Sequence, residues 1–180
     1  TAGIFGASAI GSAFIFAFQI PNLFRRLLGE GALTAAIVPV LAEKSVKEGQ
    51  PAAFGFLNFV LRKVFPWMIG LTMIGIGSAL LWAMIWPTNS AAAILTAICL
   101  PYMPLICVAA LFTSAVNLSG RFGLAEIASG VLNLCMIIGL AVLGENLAST
   151  DMGKAIWLCV GALIGGSFQL LIPLWGLRQE

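Results

Sequence analysis

Histidine is absent from the chain, and charged side chains make up only 9% of it. The first absence removes the commonest general acid–base and metal-binding side chain. The second removes a water-facing surface, since soluble domains carry roughly 25% charged residues. Cysteine is sparse too: Cys99, Cys107, Cys135 and Cys159 stand singly in apolar runs with no CxxC spacing. That pattern argues against a zinc site and leaves them as small apolar fillers. The few acidic residues form no paired constellation outside Glu30, so the arrangement that acid–base catalysis needs is missing. No catalytic residue, metal ligand or organic cofactor is expected.

What the chain does have is hydrocarbon: 61% of it is hydrophobic, with a mean hydropathy of +1.06. Such a composition points to lipid as the solvent for most of the surface. Apolar runs long enough to span a bilayer, about 20 residues each, occupy 64–86, 91–118, 124–143 and 155–177. Turn and charge chemistry separates them, as "PTNS", "SGRFG" and "GENLASTDMGK". A fifth helical stretch is expected over 9–42, with residues 1–7 as the tail of a preceding helix. The fold class is therefore an all-α, polytopic helical membrane protein, with 1–180 forming a single membrane domain. The opening "TAGIFGAS" and the closing "LWGLRQE" lead us to expect a piece of a longer protein.

Lysine and arginine counts by loop set the orientation. Lys44, Lys47, Arg62, Lys63, Arg121 and Arg178 fall in one set of connections, against Lys154 alone in the other. The bias alternates consistently through every span. It places 44–50 in the cytoplasm, with "PTNS" and "GENLASTD" outside. Gly161 and Gly165 form a small-xxx-small pair suited to close helix contact, and Pro66, Pro101, Pro104 and Pro173 predict local kinks.

One stretch breaks the apolar pattern: "FQIPNLFRRLLGEGAL", residues 18–33. On a helix at about 100° per residue, Ser8, Ser12, Gln19, Asn22, Arg26 and Glu30 share a sector of roughly 80°. Phe14, Phe16, Ile20, Leu23 and Leu27 lie opposite. Arg25 lies about 100° from Arg26, so the two guanidiniums cannot point along one line. Counting about 1.5 Å per residue from Ala9 puts Arg25 roughly 24 Å deep. Pro21 removes a backbone donor and Gly29 and Gly31 weaken the helix, which predicts a hinge between Pro21 and Gly31. Periodicity leaves a plainer alternative open, in which Arg25 and Arg26 end a short span at the cytoplasmic surface and Glu30 pairs with Arg26.

"FQIPNLFRRLLGEGALTAAIVPVLAE" closely resembles the signature of the MurJ (MviN) family of lipid II flippases. "LPYMPLICVAALFTSAVNLSGRFGLAEIASGVLNL" resembles a second segment of that family, and "IFGAS" the end of its first helix. The resemblance runs essentially the full chain. It implies a two-lobed helical transporter of the MOP exporter superfamily, of which this chain would hold the end of the first helix and the next five. It also implies a location in the bacterial cytoplasmic membrane. The implied substrate is lipid II, an undecaprenyl pyrophosphate carrying the peptidoglycan precursor, moved from inner to outer leaflet by alternating access. The implied partners are this lipid-linked pyrophosphate, membrane lipids and the remaining helices, with no nucleic acid.

Arg25 matches a cavity arginine of the family, and Asn22, Pro21, Arg26, Glu30 and Gly31 match the same motif. Ser12 stands where many members have aspartate, and Gln19 where many have lysine. A coupling ion or the membrane potential is left open. Two other readings stay in view: a MOP-type exporter of a different lipid-linked glycan, and a membrane scaffold without transport.

Overall fold

A computed structural model describes residues 9–29, 32–118 and 123–177, and all regular structure among them is helical. The elements are α1 (Ala9–Phe24), a π turn (Arg25–Gly29), α2 (Ala32–Glu48), α3 (Gln50–Ile85), α4 (Ser90–Cys99) and α5 (Tyr102–Leu118). They continue as α6 (Gly123–Ile137), a second π segment (Ile138–Gly144), α7 (Glu145–Leu147) and α8 (Asp151–Leu177). Four helical stretches among the described residues are long and apolar enough to cross a membrane: Gln50–Ile85, Ser90–Leu118, Glu126–Leu147 and Asp151–Gly176.

Backbone chemistry shapes two of the expected stretches. Within 9–42, α1 gives way after Phe24 to the π turn, and α2 is described from Ala32. The run expected at 91–118 lies within the span Ser90–Leu118, and at the kink expected from Pro101 the residues Leu100 and Pro101 form a turn between α4 and α5. Pro101 has no N–H to donate and turns the residue before it away from the α conformation. The turn closes through Met103 N–H donating to the Leu100 carbonyl at 2.9 Å. Pro104 falls in the first turn of α5, where its missing donor costs nothing.

α3 starts at Gln50, well before the apolar run that marks it in the sequence. At about 1.5 Å per residue it is roughly 54 Å long, far beyond a hydrocarbon core of about 30 Å. Its first turns pack against α2, from which it is separated by Gly49. Gly49 adopts φ 86° and ψ 170°, a region open essentially to glycine alone. On the α2 side, Lys44 pairs with Glu48 at 3.1 Å and Lys47 with Glu43 at 2.8 Å. These are exposed i,i+4 pairs worth about 0.2–0.5 kcal/mol each.

α4 and α5 thread three successive layers of buried side chains. Leu95 and Cys99 pack with Phe14, Ala17, Leu140 and Leu158. Tyr102, Met103, Ile106 and Cys107 pack with Met68 and Leu132. Leu111 and Ala115 pack with Ile37, Leu41, Ala53 and Leu57. In the apolar window of α4–α5, 72% is buried, against 11% for α3. The former is thus the axis of the bundle, while α3 presents Trp67, Ile74 and Met84 outward.

Lipid tails are as apolar as leucine, so helices in a membrane associate through close packing rather than hydrophobic burial. The α6–α8 contact follows that rule. A Cβ on Gly161 would lie 2.6 Å from the Cys135 carbonyl oxygen, and one on Gly165 2.8 Å from the Leu132 Cα. Gly139 meets the Trp157 carbonyl in the same way at 2.6 Å. The two helices touch main chain to main chain. α8 is capped at its start by Thr150, whose hydroxyl accepts from Gly153 N–H at 3.2 Å.

Candidate functional site

Hydroxyl groups within apolar helices have a cheap way to satisfy themselves: they donate to a carbonyl of their own helix one turn back. Thr72 bonds Met68, Thr96 bonds Ala92, Ser114 bonds Ala110 and Ser167 bonds Leu163, all at 2.7–3.0 Å. Ser78 does the same to Gly75 at 2.9 Å. None of these groups is offered to a ligand. Tyr102 and Gln169 behave differently.

The Tyr102 hydroxyl donates to Gln169 Oε1 at 3.2 Å, joining the first residue of α5 to the interior of α8. Both side chains are buried, Tyr102 completely and Gln169 at 5% exposure. The π turn that carries Arg25 packs against α5, and the Arg25 guanidinium acts on this hydroxyl. A phenol oxygen that donates its proton in one direction still has lone pairs for a guanidinium N–H from another. Arg25, Tyr102 and Gln169 therefore form a polar chain running from the π turn through α5 to α8, across the middle core layer.

The tyrosine ring is clamped. Phe18 of α1 stacks on it with centroids 5.5 Å apart, and Phe14 stacks on Phe18 at 5.6 Å. On the α8 side Gly166 makes room, since a Cβ there would come within 2.6 Å of the ring. Such aromatic pairs contribute about 0.5–1.5 kcal/mol beyond their packing.

The π turn explains which arginine points inward. Pro21, fully buried inside α1, cannot donate to the carbonyl one turn before it. The helix then widens over Arg25–Gly29 to i→i+5 bonding. In this wider turn successive residues rotate by less than the α-helical increment of about 100°, so the projection drawn from α1 loses register there. Arg25 is half-buried toward α5 and Arg26 is exposed. α5 holds the turn at a second point, where the Cys107 thiol lies 3.8 Å from the Phe24 carbonyl.

Of the other residues singled out in the sequence, Ser12 and Gln19 are on the exposed side of α1 and Asn22 is half-buried. Gly29 closes the π turn. Glu30 and Gly31 lie outside the described residues. Sequence reasoning passed over Tyr102, Gln169 and Gly166. A signal existed for two of them: Tyr102 is the only tyrosine in the chain, and Gln169 is the one amide in an otherwise apolar run. Polar groups at such positions in a membrane span mark functional sites by default.

Beside the polar chain lies an apolar groove of about 670 Å³ between α1, α3 and α4, bordered by Ile20, Phe24, Trp82 and Met103. Among the described residues that line it, the hydroxyls are Ser78 and Thr96, both already bonded to their own helices, and none is charged. Among the described residues no cluster of cysteine, aspartate and glutamate could hold a metal ion.

The family model for the lipid II flippase MurJ matches residues 1–180. The lipid II flippase MurJ of Burkholderia cenocepacia is 32% identical over an alignment covering 97% of this chain and 35% of that protein. Proteins named probable lipid II flippase MurJ from Vibrio cholerae and Aquifex aeolicus are 32% and 31% identical, covering 99% and 98% of this chain. The chain spans 38% and 35% of those two relatives, little more than a third of their length. The family is one of multi-pass transporters of the bacterial inner membrane, not of enzymes. Matched from its first residue to its last, the chain belongs to the MurJ family.

Proposed function

We propose that the chain is part of the N-terminal lobe of a lipid II flippase, and that Arg25 is its main contact to the substrate pyrophosphate. The observation that carries this reading is the half-buried Arg25, held in a cross-helix polar chain, whereas the hydroxyls of Thr72, Ser78, Thr96, Ser114 and Ser167 are turned onto their own backbones. A pyrophosphate needs fixed donors, and guanidinium supplies a planar fork that matches phosphate oxygens two at a time. Arginine keeps its charge when partly desolvated, where lysine releases its proton more readily. Away from bulk water the attraction is less screened, which draws the headgroup into the cavity.

Asn22 and Arg26, near the same turn, extend the donor set, and Glu30 sets the arginine rotamers when no substrate is present. The π turn Arg25–Gly29, which follows Pro21 and ends on Gly29 with Gly31 next but one in sequence, supplies the hinge that alternating access needs. Coupling to an ion or to the membrane potential is compatible with this arrangement.

The test uses the full-length protein, because one part of a two-lobed transporter has no second gate. Arg25→Ala is expected to abolish lipid II translocation in proteoliposomes while membrane insertion is unchanged. Normal translocation by that variant would refute the assignment. Competition by lipid pyrophosphates bearing other glycans would show whether the cavity reads the sugar or only the phosphates.

A further inference from the structure

We propose that Tyr102 is the positioning residue for Arg25, and that Gln169 orients the Tyr102 hydroxyl for this task. The inference rests on the reading of Arg25 as the pyrophosphate contact and adds to it the device that aims the guanidinium.

Three independent contacts fix Tyr102. Phe18 covers one part of the ring at 5.5 Å, and the missing side chain of Gly166 accommodates another. Gln169 Oε1 accepts a hydrogen bond from the hydroxyl at 3.2 Å. A phenol rotor whose proton is committed to one acceptor presents its lone pairs elsewhere, here toward Arg25. Without Gln169 the hydroxyl would be free to turn its own proton toward the guanidinium, which repels it. Gln169 is 5% exposed in an apolar helix, and a buried amide costs stability unless its partners repay it. Its presence is accounted for by the job of setting that rotor.

The choice of a hydroxyl also has chemical sense. A neutral acceptor orients a guanidinium without cancelling its charge, so the electrostatic pull on an anionic headgroup survives. The contact is a single hydrogen bond, weak enough to be exchanged for phosphate oxygens when they arrive. Tyr102 is also the first residue of α5, directly after the Leu100–Pro101 turn. A shift of α5 against α8 would therefore separate the hydroxyl from Gln169 and release the guanidinium.

The experiment compares Tyr102→Phe, Gln169→Leu, Arg25→Ala and the double variants Tyr102→Phe/Arg25→Ala and Tyr102→Phe/Gln169→Leu in the full-length protein. The probe is fluorescent lipid II in proteoliposomes. Translocation rates are read against lipid II concentration, and thermal stability is read in detergent. Tyr102→Phe keeps the ring between Phe18 and Gly166 but strands the buried Gln169 amide, so its melting temperature should fall modestly. Tyr102→Phe/Gln169→Leu removes both partners and should stay close to the parent. Its half-saturating lipid II concentration should rise about 3- to 10-fold, the loss of one oriented hydrogen bond, with a smaller change in maximal rate. Gln169→Leu should shift the same parameter in the same direction.

Arg25→Ala is itself expected to be inactive, so the Tyr102→Phe/Arg25→Ala variant is read by lipid II binding affinity. There Tyr102→Phe should add nothing to the loss from Arg25→Ala, because residues acting as one unit are non-additive. Unchanged half-saturation in Tyr102→Phe, with Arg25→Ala inactive, would overturn the positioning role and leave the pyrophosphate assignment standing. A stability loss without a change in half-saturation would overturn it equally. Full activity in Arg25→Ala would instead remove the reading on which this inference depends.

Discussion

Glycines in this protein divide into those that permit contact and those that merely occupy a helix, and substitution separates the two. A methyl group on Gly161 would strike the Cys135 carbonyl at 2.6 Å, whereas one on Gly77 meets nothing within 4 Å. Gly161→Ala is therefore expected to cost about 1–3 kcal/mol through forced backbone separation. Gly77→Ala should be neutral or stabilising by up to about 1 kcal/mol, from helix propensity alone. Thermal unfolding in detergent checks both, and a Gly161→Ala variant as stable as Gly77→Ala would refute the close approach. Gly161 and Gly165 were legible in the sequence as a spaced small pair. Tyr102 and Gln169 were not paired there, because 67 residues separate them and only the packing of α5 on α8 brings them within hydrogen-bond distance. For the arginines, the family resemblance pointed to Arg25 while the projection put Arg26 on the polar stripe, since a projection at constant pitch cannot contain a π turn.

The elements follow hydropathy where lipid is the neighbour and depart from it where backbone chemistry intervenes. Apolar runs located α6 and α8 well, because only a helix satisfies its own hydrogen bonds in hydrocarbon. They misplaced the start of α3, whose first turns are held by α2 rather than by lipid. They ran α4 and α5 together as the one span that the structure also has at Ser90–Leu118, and it was Pro101, through its missing donor, that marked the turn within it. The α2–α3 turn offers a test confined to conformation. Gly49 has room for a side chain, with only Pro51 at 3.7 Å, yet its φ of 86° suits glycine alone. Gly49→Ala should lower stability by about 1–3 kcal/mol with no clash to relieve. If circular dichroism melting shows no loss, the turn can adopt another conformation at no expense.

Over the whole bundle, charge placement makes a topological prediction. With the lysine-rich α2–α3 turn in the cytoplasm and the α3–α4 turn outside, cysteines introduced at Val46 and Thr88 should differ in access. Val46 is 86% exposed, and Thr88 lies on the exposed 3₁₀ turn Pro87–Asn89. A membrane-impermeant thiol reagent added to intact cells should label Thr88→Cys and spare Val46→Cys, and the reverse pattern would invert the assignment. The glycine contact between α6 and α8 bears on motion at this same size. Side chains between two helices act as bearings, changing rotamer as one helix slides on the other. Where Gly139, Gly161 and Gly165 bring main chain against main chain there are no bearings. Such a pair is built as one girder, and on the proposed transport role any displacement that carries a headgroup through the membrane has to be taken up elsewhere in the bundle.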